Sequence, residues 1–139
     1  MKIYTDKIAF KTGGDCDIVN VTDEAAKILE RSGVKNGLMN IFIAGATGAI
    51  TTIEYEPGLV GDIKDLLKGL VKEGGDYGHN RTHSDGNATA HLRASLLGPS
   101  ITVPVDGAKM TLGVWQSIIF IDMDNRPRER ALIVKVIGE

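Results

Sequence analysis

The chain begins in alternation. Residues 2 to 10 switch between polar and apolar with a period of two, which predicts a strand with Ile3, Ile8 and Phe10 as candidates for its buried face. Residues 15 to 21 continue as a second, shorter strand. The period then lengthens: Thr22, followed by Asp23 and Glu24, is a favourable helix start, and Ala25, Ala26, Ile28 and Leu29 form an apolar helical face that ends at Gly33. Gly37 to Ala44 is apolar throughout except for Asn40 and predicts a buried strand. Beyond the small-residue turn GATGA, Ile50 to Glu56 predicts another. Pro57 is tolerated in a first helical turn, where the N–H it lacks would have no partner. It opens a second helix with Ile63, Leu66, Leu67, Leu70 and Val71 as its buried stripe, ending at Gly74 and Gly75.

Ala88 to Leu97 predicts a further short helix that turns Leu92, Leu96 and Leu97 inward and stops at Gly98 and Pro99. His91 and Ser95 share a face of it. The last third reads as a β-meander: Ile101 to Val105, a turn at Asp106-Gly107, a strand from Gly113 to Met123, a turn near Asp124-Asn125, and Arg130 to Ile137. In the strand VWQSIIFID both alternating sets are mostly apolar, so it is covered on both sides. Strands mixed irregularly with two to three helices predict an α+β fold with a largely antiparallel sheet.

The 139 residues and 42% apolar content suit one compact domain spanning residues 1–139, with an ordinary core. A single cysteine, Cys16, allows no internal disulfide, and the N-terminus shows neither a basic region followed by an apolar run nor a bilayer-length stretch. A cytoplasmic location with no membrane partner is therefore expected. With 16 basic and 18 acidic residues the net charge is −2, which gives no broad attraction for nucleic acid. The run Arg126 to Arg130, interrupted by Pro127 and Glu129, reads as a hairpin edge.

Candidate chemistry gathers in one place. All three histidines, His79, His83 and His91, lie in HNRTHSDGNATAH together with Asp85 and Asn87. Histidine is the commonest protein metal ligand and titrates nearest neutrality. One reading makes His79 and His91, with His83 or Asp85, the ligands of a divalent metal, although the spacings match no standard zinc motif. A second makes His91 a general acid/base oriented by Asp85 or Asn87, with Arg93 binding an anion. A third is structural: Asp85, Gly86 and Asn87 form a turn that caps the next helix. GATGAITT from Gly45 and GPSITVP from Gly98, which carries Ser100, are weaker anion candidates.

The segments DGNATAHLRASLLGPSITVPV and LGVWQSIIFIDMDNRPRER resemble the second half of the YjbQ-like family, also described as secondary thiamine-phosphate synthases. SGVKNG and TTIEYEPGL extend the resemblance toward the N-terminus. It implies a barrel-like antiparallel sheet, a homotrimer, and a polar pocket at the histidine segment close to a subunit boundary. The implied reaction joins a phosphorylated pyrimidine alcohol to a thiazole phosphate with loss of pyrophosphate. Carried onto this chain, the resemblance makes His91, Asp85 and Asn87 catalytic and gives Arg93, Ser95, Ser100, Gln116 and Glu54 to a small phosphorylated substrate. It gives His79, His91 and Asp85 to a divalent metal. The chain departs from the family pattern at Gly45 and Thr89, where many members have histidine, and at Ile53, where other members have asparagine. Those departures sustain an alternative, a non-catalytic trimeric protein that binds an anion or metal.

Overall fold

The computed structural model describes residues 1–139. In chain order the elements are β1 (Lys2–Thr12), β2 (Asp17–Asn20), α1 (Thr22–Ser32), β3 (Gly37–Ile43), β4 (Gly48–Ile53) and α2 (Pro57–Leu70). They continue as α3 (Gly78–Thr82), α4 (Ala88–Leu97), β5 (Ser100–Asp106), β6 (Lys109–Met110), β7 (Ser117–Asp122) and β8 (Arg128–Gly138). The α+β prediction holds, with four helices instead of two or three: the added one, α3, is a single short turn inside the histidine segment.

The strands form two antiparallel sheets, ordered β1-β8-β3-β5-β6 and β2-β7-β4, which curve around a common core as a half-barrel. Ile8, Met39, Ile41 and Val134 of the large sheet meet Ile118 and Phe120 of the small one, and α1 adds Ala25, Ile28 and Leu29. On its other face the small sheet carries Ala49, Ile119 and Ile121 against Leu67 of α2 and Ala90 and Ala94 of α4. From Ile118 to Ile121 β7 is therefore buried on both faces, as its apolar run predicts, whereas Val114 and Trp115, expected in the same strand, precede it and are 90% and 73% exposed. The helix signals also hold locally: Gly33 ends α1 at φ 68°, and Glu56 accepts the Gly58 and Leu59 N–H groups at 2.8 Å each just ahead of Pro57.

Four expectations change. Ile3 is 69% exposed while Ile8 is buried, because residues an odd number apart on a strand face opposite ways. In α2 only Leu67 is buried, with Leu66 and Leu70 left exposed. In α4 the small residues Ala90 and Ala94 face the sheet, and Leu92 and Leu96 point outward, since a helix lying close on a sheet takes its smallest side chains to the contact. The last third is not a meander, because β7 joins the small sheet between β2 and β4, whereas β8 lies between β1 and β3 in the large one.

Candidate functional site

A cavity of about 620 Å³ opens where the chain turns from β7 into β8. Its walls come from three segments: the β3–β4 turn at residues 44–47, the residues at and before the start of α4, and the turn and strand from Asp124 to Arg130. Arg128 and Arg130 are alternate residues on one face of β8 and Arg126 stands in the turn before it, and all three arginines line the same cavity. This corrects the reading of that run as a hairpin edge. The regular spacing was legible; that it would meet the histidine segment was not.

Two of the arginines are held from behind. Arg130, only 6% exposed, donates from Nε and Nη2 to the two oxygens of Asp122, at 2.8 and 2.9 Å, and from Nη2 to Thr47 Oγ1 at 2.9 Å. Burial pushes the Asp122 carboxyl up, but the Arg130 guanidinium, the Thr12 hydroxyl and the Asp124 N–H outweigh it and hold it below its ordinary value. Arg128 pairs with the buried Asp124, which also accepts from Thr47 Oγ1 at 3.2 Å. Arg126 makes no ion pair and is exposed. A Cβ on residue 45 would begin 3.6 Å from Arg130 Nη1, so Gly45 leaves that nitrogen open.

His91 reaches the same cavity from α4. Its Nδ1 lies 3.0 Å from the Ala46 carbonyl oxygen. A carbonyl only accepts, so Nδ1 carries the proton and Nε2 is the ring's open acceptor. The backbone of the β3–β4 turn thus orients His91, and neither Asp85 nor Asn87 does so as expected. Asn87, 9% exposed, instead sets its Oδ1 3.2 Å from His79 Nε2, while Asp85 is tied to the arginine turn by Asn125 Nδ2 donating to its carbonyl oxygen at 3.1 Å.

His79 sits edge-on to His91, with ring centroids 4.9 Å apart, and His83 stacks on His79 at 4.7 Å. His79 lines a neighbouring, more apolar cleft with Tyr77, Ala88, Leu92 and the far side of His91. The histidines are thus together, but His79 is engaged by Asn87, and no three His, Cys, Asp or Glu side chains converge to hold a metal. The donors as folded do not fit a metal centre.

The remaining sequence candidates scatter. Arg93 is not a ligand hand: it is 1% exposed and turned the other way, donating to the Val71 carbonyl oxygen and to Glu73 Oε1 at 3.2 Å. It clamps the end of α2 to α4. Ser95 donates to the His91 carbonyl oxygen at 2.7 Å and lines a shallow cleft on the other side of that histidine. Ser100 lies exposed at the start of β5, opposite Phe42. Glu54 and Gln116 share a separate cleft with Trp115, where Gln116 Nε2 donates to Thr52 Oγ1 at 3.0 Å.

A small α+β half-barrel with an arginine-and-histidine pocket where its two sheets exchange strands is the class that these features define. The pattern described as UPF0047 protein YjbQ-like matches residues 6–139, and the chain belongs to that family. A UPF0047 protein of Methanothermobacter thermautotrophicus is 42% identical over 139 residues, covering 100% of this chain and 95% of the relative. One from Archaeoglobus fulgidus is 38% identical over 131 residues, 94% of this chain and 99% of its own. Among solved structures, a YbjQ-like protein of unknown function from Sulfolobus solfataricus superimposes with a TM-score of 0.94 at 38% identity, covering 99% of both chains. A hypothetical protein from Aeropyrum pernix gives 0.91 at 35% identity, over 98% of this chain and 99% of that one.

Proposed function

We propose that the cavity at the β7–β8 turn binds the phosphate group of a small phosphorylated metabolite and that His91 moves a proton there. The observation that carries this is the convergence of Arg126, Arg128 and Arg130 with His91 on one cavity. Guanidinium groups present fixed, planar donors that suit phosphate oxygens. Arg130 and Arg128 are preset by Asp122 and Asp124, so they bind without first being ordered. Arg126 forms no ion pair and is the guanidinium free to turn to the ligand, while the Asp85 side chain is the carboxylate that faces it across the same cavity. His91 Nε2 is open to take a proton from an attacking group, and once protonated it can return one to a leaving oxygen.

Within this reading, the transferase reaction of the thiamine-phosphate synthase type rests on the family resemblance alone. It is the first activity to assay, since loss of pyrophosphate calls for donors of the kind that the arginines offer. The alternative, an anion-binding protein without turnover, is favoured by Gly45 and Thr89, which stand where many members of the family have histidine. Titration with inorganic phosphate separates the parts. Arg126→Ala weakens binding about tenfold, the scale of one charge-assisted hydrogen bond. His91→Asn keeps binding but abolishes turnover. Phosphate affinity unchanged in Arg126→Ala would count against the site; turnover unchanged in His91→Asn would count against its catalytic role.

A further inference from the structure

The turn that carries Arg126 is braced by a second turn with an uncommon backbone. β1 ends at Thr12 in the large sheet and β2 begins at Asp17 in the small one, so residues 13–16 pass between the sheets where residues 123–127 pass back. Gly14, Asp15 and Cys16 are left-handed in succession, with φ of 74°, 52° and 63°, the only run of three in the chain. Residues with a Cβ resist that conformation, and it persists only where surrounding structure imposes it.

Here it aims two donors at the arginine turn. Asp15 N–H donates to the Asp124 carbonyl oxygen at 2.7 Å and Cys16 N–H to that of Asp122 at 2.8 Å. The approach is close enough that a Cβ on Gly14 would fall 2.5 Å from the Arg126 carbonyl oxygen and 2.8 Å from that of Asp124. The turn is tied to itself as well: Gly13 N–H donates to Asp17 Oδ2 at 2.8 Å, and Asp17 N–H to the Gly14 carbonyl oxygen at 3.1 Å. The Thr12 hydroxyl, at its entrance, donates to Asp122.

We infer that residues 13–16 are a positioning element for the anion pocket. The left-handed turn fixes the backbone from Asp122 to Arg126, and so the directions in which Arg126 and Arg128 leave the chain, before a ligand arrives. The inference rests on the phosphate reading of the pocket. A merely structural brace would cost stability when damaged and leave affinity alone, and Gly107 supplies the control. It too is left-handed, at φ 55°, but lies in the β5–β6 turn with nothing within 4 Å of an added Cβ.

The experiment compares Gly14→Ala with Gly107→Ala in the full chain, reading melting temperature, amide hydrogen exchange and affinity for inorganic phosphate. Both variants melt earlier. Only Gly14→Ala loses protection at the Asp15 and Cys16 amides and weakens phosphate binding, by at least about fivefold. Deprotected amides with unchanged affinity, or an equal loss of affinity in Gly107→Ala, overturn the inference. If the unaltered protein binds no phosphate, the functional reading is what fails. Exchange then decides the brace: deprotection in Gly14→Ala that spreads to the Met123 and Asp124 amides, which donate to the Thr47 carbonyl oxygen and to Asp122 Oδ1, supports it, and deprotection confined to residues 13–16 overturns it. Should Gly14→Ala not fold, one glycine inserted after Gly13 lengthens the turn without the clash, with the same expected outcomes.

Discussion

Asp122 carries more of this site than any residue that touches the cavity. It is fully buried, grips Arg130 with both oxygens, and receives Thr12 and the Asp124 N–H besides. Breaking one side of a buried pair leaves the other charge without compensation, so Asp122→Asn is expected to cost about 3–5 kcal/mol in urea unfolding. The sign with pH follows from the lowered folded value. Its contribution is complete above the ordinary 3.8 and is lost as the pH falls from there through the folded value. The unaltered protein should therefore lose stability on acidification below about pH 4 more steeply than the variant, as measured by denaturant midpoints across pH. Nothing in the sequence marks Asp122 out, because its importance comes from a partner eight residues later on a strand of the other sheet. His91 differs: the cluster pointed to it, yet its orienting partner, the Ala46 carbonyl, is a backbone atom with no sequence signature.

At the scale of elements, α2 tests which part of an apolar stripe is core. The stripe predicted for it has five apolar positions, Ile63, Leu66, Leu67, Leu70 and, just past its end, Val71, and the fold buries one fully, Leu67, which is 2% exposed. Leu67→Ala is expected to cost about 2–5 kcal/mol through lost burial and the cavity left behind. Leu66→Ala, at a position 55% exposed, should stay within about 0.5 kcal/mol for the isolated subunit. Equal effects in thermal or urea unfolding would show that α2 packs by another face. α4 makes the same point from the opposite direction, since its alanines rather than its leucines meet the sheet. Hydrophobicity marks where a helix can be buried, and the closeness of the neighbouring layer selects which residues are.

At the scale of the molecule, the outer face of the large sheet stays uncovered within one chain. Ile3, Ile137, Leu38 and Pro104 stand in register across four strands, and the first three are 69%, 41% and 52% exposed. A row of this kind suits burial against another subunit, and the homotrimer implied by the family resemblance is the assembly we propose for it. Leu38→Asp should then shift the sedimentation or light-scattering mass from trimer toward monomer, whereas Leu66→Asp on α2 should not. A monomeric mass for the unaltered protein would dismiss the assembly while leaving the pocket within one chain untouched.

The order and kind of the principal elements are local properties, and the sequence by itself determined them. Period-two alternation, the Pro57 and Gly33 boundaries and the unbroken apolar run of β7 each act within a few residues. The sequence also singled out the histidine segment, from which Asp85, Asn87 and His91 line the cavity. Only the tertiary structure decided which strands share a sheet, which faces of α2 and α4 are inward, and that Arg126, Arg128 and Arg130 stand beside His91 while Arg93 does not. The reason is physical. Helical and extended periodicity are imposed by hydrogen bonds and sterics along the chain, whereas the pocket depends on segments more than thirty residues apart meeting at the boundary between two sheets.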